Sequence, residues 1–114
     1  MVTKKELKEQ YKQMKPDMGV FVFKCIPAEK SYLGLGQNIK GEMNSIAFQL
    51  NLGSYKNSNL QNDWKKYGEN NFEIKILELL PYGKNEMKTD YKEDLHILRD
   101  FYAQQFADYE FIQK

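Results

Sequence analysis

The amino-acid sequence predicts an α+β domain in which a small three-stranded antiparallel sheet is flanked by helices. The first observation is a pair of strand-like segments near residues 19–26 and 31–35, separated by a segment of turn length. The second is an alternating apolar segment at residues 71–79. Apolar residues at helical spacing lie around these segments and give the order α-β-β-α-α-β-α. Because a two-stranded hairpin is not stable alone, the third strand is expected to join it in one sheet.

Length and composition set the class of protein. The 114 residues suit one domain with a single core, and 41% apolar and 14% aromatic residues exclude intrinsic disorder. With Lys+Arg 17 against Asp+Glu 16, nucleic-acid binding would need a local basic patch. We expect one domain over residues 1–114, with an N-terminal helix at 1–15 and a core at 19–106. Since the sequence shows no signal peptide and no membrane-spanning run, we expect a cytoplasmic protein without a membrane partner.

The first elements follow from local signals. A helix is predicted from about Lys4 to Met14, because Thr3 and Glu6 have capping-box spacing and Pro16 disfavours its continuation. Valine and phenylalanine dominate the first strand, which indicates burial on both faces. The single cysteine, Cys25, lies in this apolar pattern, and we interpret it as a buried thiol rather than a nucleophile.

Two helices are predicted between the second and third strands. Asn38 is a suitable N-cap for a helix that Gly53 ends, and Asn57 or Ser58 suits a shorter helix that Gly68 ends. Their apolar faces carry Ile39, Met43, Ile46, Ala47, Leu50, Leu60, Trp64 and Tyr67. This spacing favours core packing of the two aromatic residues over stacking on nucleobases.

The last helix is predicted after the third strand and a polar loop at residues 81–88. It should begin at Thr89 or Asp90, with Glu93 in the capping-box position. Its predicted apolar face consists of Tyr91, Leu95, Leu98, Tyr102 and Phe106.

Two motifs in the hairpin resemble the opening of the GIY-YIG nuclease superfamily. Gly19-Val20-Phe21 is similar to the first motif and Tyr32-Leu33-Gly34 to the second. Longer segments resemble a bacterial subgroup of that superfamily: Lys15-Pro16-x-Met18-Gly19-Val20, Phe48-Gln49-Leu50-Asn51-x-Gly53-Ser54, Leu60-Gln61-x-Asp63-Trp64-Lys65-x-Tyr67-Gly68-Glu69 and Phe72-Glu73-x-x-Ile76-Leu77-Glu78. The resemblance implies a GIY-YIG endonuclease-like fold.

The resemblance also implies a chemistry. Family members use two tyrosines from the hairpin, an arginine on the next helix and a glutamate on the last helix. The glutamate holds a divalent metal that polarises the phosphate, a tyrosine activates the attacking water, and the arginine neutralises developing charge. DNA or RNA is the partner, and Mg²⁺ or Mn²⁺ the cofactor, that an active member would use.

Three of the four family positions are substituted in this chain. Tyr32 matches the second tyrosine, whereas Phe21 lacks the hydroxyl of the first. Glu42 aligns with the arginine, or Asn44-Ser45-Ile46 aligns with the Asn-Arg-His of some members, and neither alignment places an arginine on this helix. Arg99 aligns with the glutamate, and we expect it to point toward Tyr32. Tyr32 has a second interpretation, as an aromatic of a half-buried strand. No metal-ligating set is predicted, because the remaining carboxylates and His96 show no ligand spacing.

Two functions from different classes remain. The first is a catalytically impaired domain that binds nucleic acid or a protein partner, because losing one transition-state donor costs about 2.7–4 kcal/mol. The alternative is an active metal-dependent endonuclease that hydrolyses DNA or RNA with a rearranged site. The candidate nucleic-acid residues are Lys56, Asn57, Asn59, Lys65 and Lys66. A solubilising polar surface is the competing interpretation of this segment.

Overall fold

A computed structural model describes residues 15–84 and 88–112 of the chain. Within them, the strands are β1 (Met18–Cys25), β2 (Lys30–Gly36), β3 (Phe72–Leu80) and β4 (Tyr109–Phe111). The helices are α1 (Ile39–Leu52), α2 (Ser58–Tyr67) and α3 (Lys92–Ala103), and a short 3-10 helix (Glu69–Asn71) precedes β3. The helix predicted at residues 4–14 lies outside the described residues.

One mixed sheet organises the domain, in the order β3-β1-β2-β4. The central strand β1 pairs antiparallel with β2 and with β3, which confirms the predicted hairpin and the antiparallel third strand. The fourth strand, β4, was not predicted, and it pairs in parallel with β2. Its three residues are too few for a period-2 pattern to indicate a strand.

Alternation along the strands divides the core into two faces. Phe21, Phe23 and Tyr32 belong to a buried cluster with residues of α1 and α2, which we call the α1/α2 face. Val22 and Leu33 point the opposite way and pack with Ala103 of α3, on what we call the α3 face. Every candidate residue of the hairpin is assigned to one face by this alternation.

A bulge in β3 changes the alternation near its end. The β1–β3 register shifts between Val20 and Phe21, and both Leu77 and Glu78 contact residues of the α3 face. Gly19 lies at this irregularity, where an added Cβ would lie 2.2 Å from the Glu78 carbonyl oxygen. The glycine of the first motif is therefore required by the close approach of β3.

The predicted ends of α1 and α2 are confirmed. The Asn38 side chain accepts a hydrogen bond from Gly41 N, and the Asn57 side chain accepts one from Leu60 N. Gly53 and Gly68 follow the two helices with φ of 77° and 83°.

The start and the buried face of α3 differ from the prediction. Tyr91 is the N-cap residue and provides no side-chain cap, whereas Thr89 or Asp90 was expected. The helix buries Leu95, Arg99 and Ala103, so its inner face is rotated from the predicted apolar stripe. The reason is that β4 adds Phe111 to this side of the sheet, and an aromatic ring accommodates a guanidinium.

None of the helices in residues 15–84 and 88–112 has the length and apolar character needed to span a membrane.

Candidate functional site

The aromatic residues of the two motifs are core residues. Phe21 pairs with Gly34 across the hairpin, and an added Cβ at Gly34 would lie 2.4 Å from the Phe21 ring. The second motif therefore needs its glycine to make room for the aromatic of the first. Phe21 and Tyr32 are both 0% exposed, so both lie beneath the surface of the α1/α2 face.

The Tyr32 hydroxyl is held by α2. It donates a hydrogen bond of 2.5 Å to Oδ2 of Asp63, while Nζ of Lys30 lies 5.1 Å from the centre of the Tyr32 ring. Two causes raise the pKa of Tyr32 well above its ordinary value: burial is the larger, and the hydrogen bond to the Asp63 carboxylate is the second. Tyr32 is therefore a protonated donor rather than a base.

Asp63 is not among the site residues predicted from the sequence. It lies in the α2 segment that carries the family resemblance, but 31 positions separate it from Tyr32. No local spacing could indicate this pair, because it depends on how α2 crosses the sheet.

Arg99 lies on the other side of the sheet from Tyr32. It is 5% exposed, with its Cζ 3.7 Å from the centre of the Phe111 ring and its Nε 3.7 Å from Oδ1 of Asp100. Phe111 packs against the cluster of Val22 and Leu33, on the α3 face. The prediction that Arg99 points toward Tyr32 is therefore wrong. Burial lowers the pKa of Arg99, and the Asp100 carboxylate opposes that shift.

The divalent metal of the family does not fit the residue at this position. A guanidinium buried against Phe111 repels a divalent cation and offers it no oxygen ligand. Within residues 15–84 and 88–112, no group of three His, Cys, Asp or Glu side chains could hold a metal ion. Arg99 therefore does not fit the metal-holding role that the resemblance implies for its position.

Glu42 lies in the first turn of α1. It lines an open cleft of about 340 Å³ between the end of β2 and the first turns of α1 and α3. The cleft is lined by Leu35, Gly36, Gln37, Glu42, Asp90, Lys92, Leu95 and His96. Gln37 spans it, because its Nε2 donates to Thr89 O at 2.8 Å and its Oε1 accepts from Tyr91 N at 3.2 Å. Phe21 and Tyr32 thus lie in the core of the α1/α2 face, Arg99 lies against Phe111 on the α3 face, and Glu42 lines the cleft.

The candidate nucleic-acid residues divide into two groups. The Asn57 side chain caps α2, and Nδ2 of Asn59 donates to Oε1 of Glu110 at 2.9 Å, so both amides stabilise the fold. Lys56, Lys65 and Lys66 are exposed, before the first turn and in the last turn of α2. Of the five candidate residues, the three lysines are those that present an exposed charge to a partner.

Trp64 is a core residue, as its helical spacing predicted. It is 4% exposed, and its ring centre lies 4.9 Å from that of Phe72. Its indole Nε1 donates to Oδ1 of Asn51 at 3.0 Å, which satisfies the one polar group of the ring. Base stacking on Trp64 is excluded by this packing.

Comparison with known proteins identifies the fold. No protein-family model and no curated protein matches the chain. Two solved structures are similar to it at 22% sequence identity. One is the catalytic domain of the homing endonuclease I-TevI, with a TM-score of 0.63 over 78% of this chain and 87% of that chain. The other is a mutant of the catalytic domain of the same intron endonuclease, with a TM-score of 0.62 over 79% of this chain and 84% of that chain. I-TevI is a GIY-YIG homing endonuclease, and this chain has the GIY-YIG nuclease fold that the two hairpin motifs predicted.

Proposed function

We propose that this chain is a GIY-YIG nuclease-superfamily domain that binds nucleic acid without hydrolysing it. The observation that carries the proposal is the environment of Tyr32, the one family position that keeps its residue type. Its hydroxyl is buried and donates to Asp63 at 2.5 Å.

A tyrosine that activates water must present its oxygen to the substrate. The Tyr32 oxygen is covered by the core, and its proton is directed at a carboxylate. Burial of the hydroxyl and, after it, the hydrogen bond to the Asp63 carboxylate both disfavour a phenolate, which is why the pKa of Tyr32 is raised. These features oppose a role as general base or nucleophile activator.

The charges at the other family positions also oppose hydrolysis. Phosphodiester cleavage develops negative charge on the phosphoryl oxygens, which an enzyme compensates with cations. Glu42 brings a carboxylate to the first turn of α1, and the Arg99 cation is buried against Phe111. A single missing donor commonly lowers the rate by about a hundredfold to a thousandfold, and several such losses bring it toward background.

Binding is supported by three lysines in and beside α2. A helix of this length is about 15 Å long, a distance over which duplex DNA carries roughly nine phosphate charges. Lys56 lies at one end of α2 and Lys65 and Lys66 at the other, all exposed. The similar solved structures are domains of endonucleases, a class of enzyme that acts on nucleic acid. This comparison and the exposed lysines favour a nucleic-acid partner over a protein.

A cleavage assay tests the catalytic half of the proposal. Supercoiled plasmid, short duplexes and single strands are incubated with the chain and with Mg²⁺ or Mn²⁺. We expect no cleavage above the level of a protein-free control. Robust cleavage that Tyr32→Phe abolishes would instead establish the alternative function, an active metal-dependent endonuclease.

Fluorescence anisotropy with labelled DNA and RNA over a salt series tests the binding half. The test variant is Lys65→Glu with Lys66→Glu, and the matched control is Lys40→Glu with Lys84→Glu, which changes the net charge equally at exposed positions outside α2. We expect only the test variant to weaken binding and to reduce the salt dependence, by about 0.7–0.9 in slope for each phosphate that the protein no longer neutralises. Equal effects of both variants, or no binding at low salt, would contradict a nucleic-acid partner and favour a protein partner.

A further inference from the structure

The outer edge of β3 has backbone groups that face away from the sheet. In the order β3-β1-β2-β4, β3 is the terminal strand on its side among the described residues. Ile26 N donates to Asn71 O at 3.0 Å, so the backbone of residue 71 faces β1. Because these directions alternate along an antiparallel pair, the N–H and C=O groups of Phe72, Ile74 and Ile76 face the outer edge.

The side chains of this edge are apolar on one face and charged on the other. On the α1/α2 face, Ile74 and Ile76 are 36% and 40% exposed and continue the buried Phe72. On the α3 face, Nζ of Lys75 lies 3.5 Å from Oε1 of Glu73, and both side chains are about half exposed. Edge strands usually resist self-pairing through like charges, whereas these two charges have opposite sign.

The segment is complementary to itself about a two-fold axis through Ile74. In that register, Glu73 of one copy lies opposite Lys75 of the other in both directions, Ile74 lies opposite Ile74, and Phe72 lies opposite Ile76. A two-fold axis at Glu73 or at Lys75 would place like charges opposite each other. The axis at Ile74 also falls on a residue whose backbone faces the edge, as a hydrogen-bonded pair requires.

We propose that this edge is the interface of a homodimer, in which β3 pairs antiparallel with β3 of a second copy. The two sheets then form one continuous eight-stranded sheet, and the bulge at Leu77 and Glu78 ends the pairing. Since apolar faces meet apolar faces, α2 of both copies lies on the same side of the dimer. The contact is small, so the dimer is weak and in exchange with the monomer.

Charge-swap variants of the full chain, measured by sedimentation equilibrium, test the interface. Either Glu73→Lys or Lys75→Glu places like charges opposite each other twice in every dimer, and we expect the dimer Kd to rise about tenfold or more. The double variant Glu73→Lys with Lys75→Glu restores both opposite-charge pairs and returns the Kd to within about threefold of the original. Lys40→Glu, an exposed lysine of α1, is the control and leaves the Kd unchanged. A chain that stays monomeric up to about 1 mM, or a double variant weaker than either single one, would overturn the proposal.

Amide hydrogen exchange supplies a readout at the level of single residues. We expect protection of the amides of Phe72, Ile74 and Ile76 to rise with protein concentration, because these groups pair only in the dimer. The amides of Glu73 and Lys75 face β1 and are protected at every concentration. Protection of the first three that does not depend on concentration would mean that a segment of the same chain covers the edge, which contradicts the dimer.

Discussion

At the scale of single residues, Tyr32 combines the identity of a family catalytic residue with the environment of a structural one. Its ring is buried in the cluster of the α1/α2 face, and its hydroxyl donates a hydrogen bond to Asp63 of α2. The buried ring and the hydrogen bond to Asp63 therefore give Tyr32 a structural role.

The tyrosines of this core predict a loss of stability in alkali. Burial raises the pKa of Tyr55 to about 12, and burial with the Asp63 hydrogen bond raises the pKa of Tyr32 further above its ordinary value. In the unfolded chain both groups titrate near a pKa of about 10. Above that pH the unfolded state binds fewer protons than the folded state, so the free energy of unfolding is full below about pH 10 and falls as pH rises through the folded pKa values.

Urea unfolding between about pH 8 and pH 12 measures this dependence. In Tyr32→Phe we expect a shallower fall, because one of the two groups is removed, and a loss of about 1–3 kcal/mol at neutral pH from the unpartnered Asp63. Tyr109→Phe, at an exposed tyrosine, is the control and changes neither quantity. A stability that is independent of pH up to about pH 12 would contradict the assignment.

Arg99 predicts a different outcome from the one that the family alignment implies. Arg99→Glu would bury a carboxylate against the face of Phe111, and we expect it to destabilise the domain by about 3–5 kcal/mol. Arg99→Met keeps an apolar side chain against Phe111 and loses the cation–π interaction and the ion pair with Asp100, so we expect a smaller loss of about 1–2 kcal/mol. Thermal unfolding distinguishes the two variants.

The same geometry predicts that restoring the family residues does not restore hydrolysis. In Arg99→Glu combined with Glu42→Arg, the new carboxylate lies on the α3 face, across the sheet from Tyr32. Metal-dependent cleavage by this double variant, if it remains folded, would show that the alignment of the last helix is functionally correct and that our placement of the site is wrong.

At the scale of elements, the hairpin depends on the packing of Phe21 over Gly34. An added Cβ at Gly34 would lie 2.4 Å from the ring, so we expect Gly34→Ala to destabilise the domain by about 1–3 kcal/mol through overpacking. Phe21→Leu removes the ring, and in its background Gly34→Ala should cost less than in the native chain. Gly83→Ala is the matched control, since its added Cβ would make an ordinary contact of 3.5 Å. Strictly additive effects of the Gly34 and Phe21 substitutions would contradict a direct clash.

The elements that could be predicted from sequence are those with local signals. The cap Asn38, and the choice of Asn57 or Ser58 for the next helix, could be predicted because a polar side chain at a helix start and a glycine after its end carry local information. The partner of Tyr32 and the position of Arg99 could not be predicted, because both depend on residues distant in sequence. The missed strand β4 explains the second error, since Phe111 makes the site in which Arg99 is buried.

At the scale of the whole molecule, β4 joins the two halves of the core. Phe111 packs on the α3 face, whereas Ile112 belongs to the buried cluster of the α1/α2 face. Ile112 N also donates to Leu33 O at 2.8 Å, and Glu110 accepts the Asn59 hydrogen bond from α2. A segment of only a few residues therefore connects elements on both sides of the sheet.

This arrangement predicts that the two faces lose stability together. We expect Phe111→Ala and Ile112→Ala each to lower the free energy of unfolding by about 2–4 kcal/mol, because each deletes a packed side chain. The free energy of unfolding that the double variant loses should be smaller than the sum of the two single losses, because releasing β4 by either substitution already removes the packing of the other side chain.

Two probes measure this coupling. Trp64 fluorescence follows the α1/α2 face and circular dichroism follows the whole domain, so coincident transitions in all variants would show a single cooperative unit. Tyr109→Ala, at an exposed position of the same strand, should cost less than either substitution. Additive losses, or a Trp64 transition that Phe111→Ala leaves unchanged, would mean that the two faces are stabilised independently.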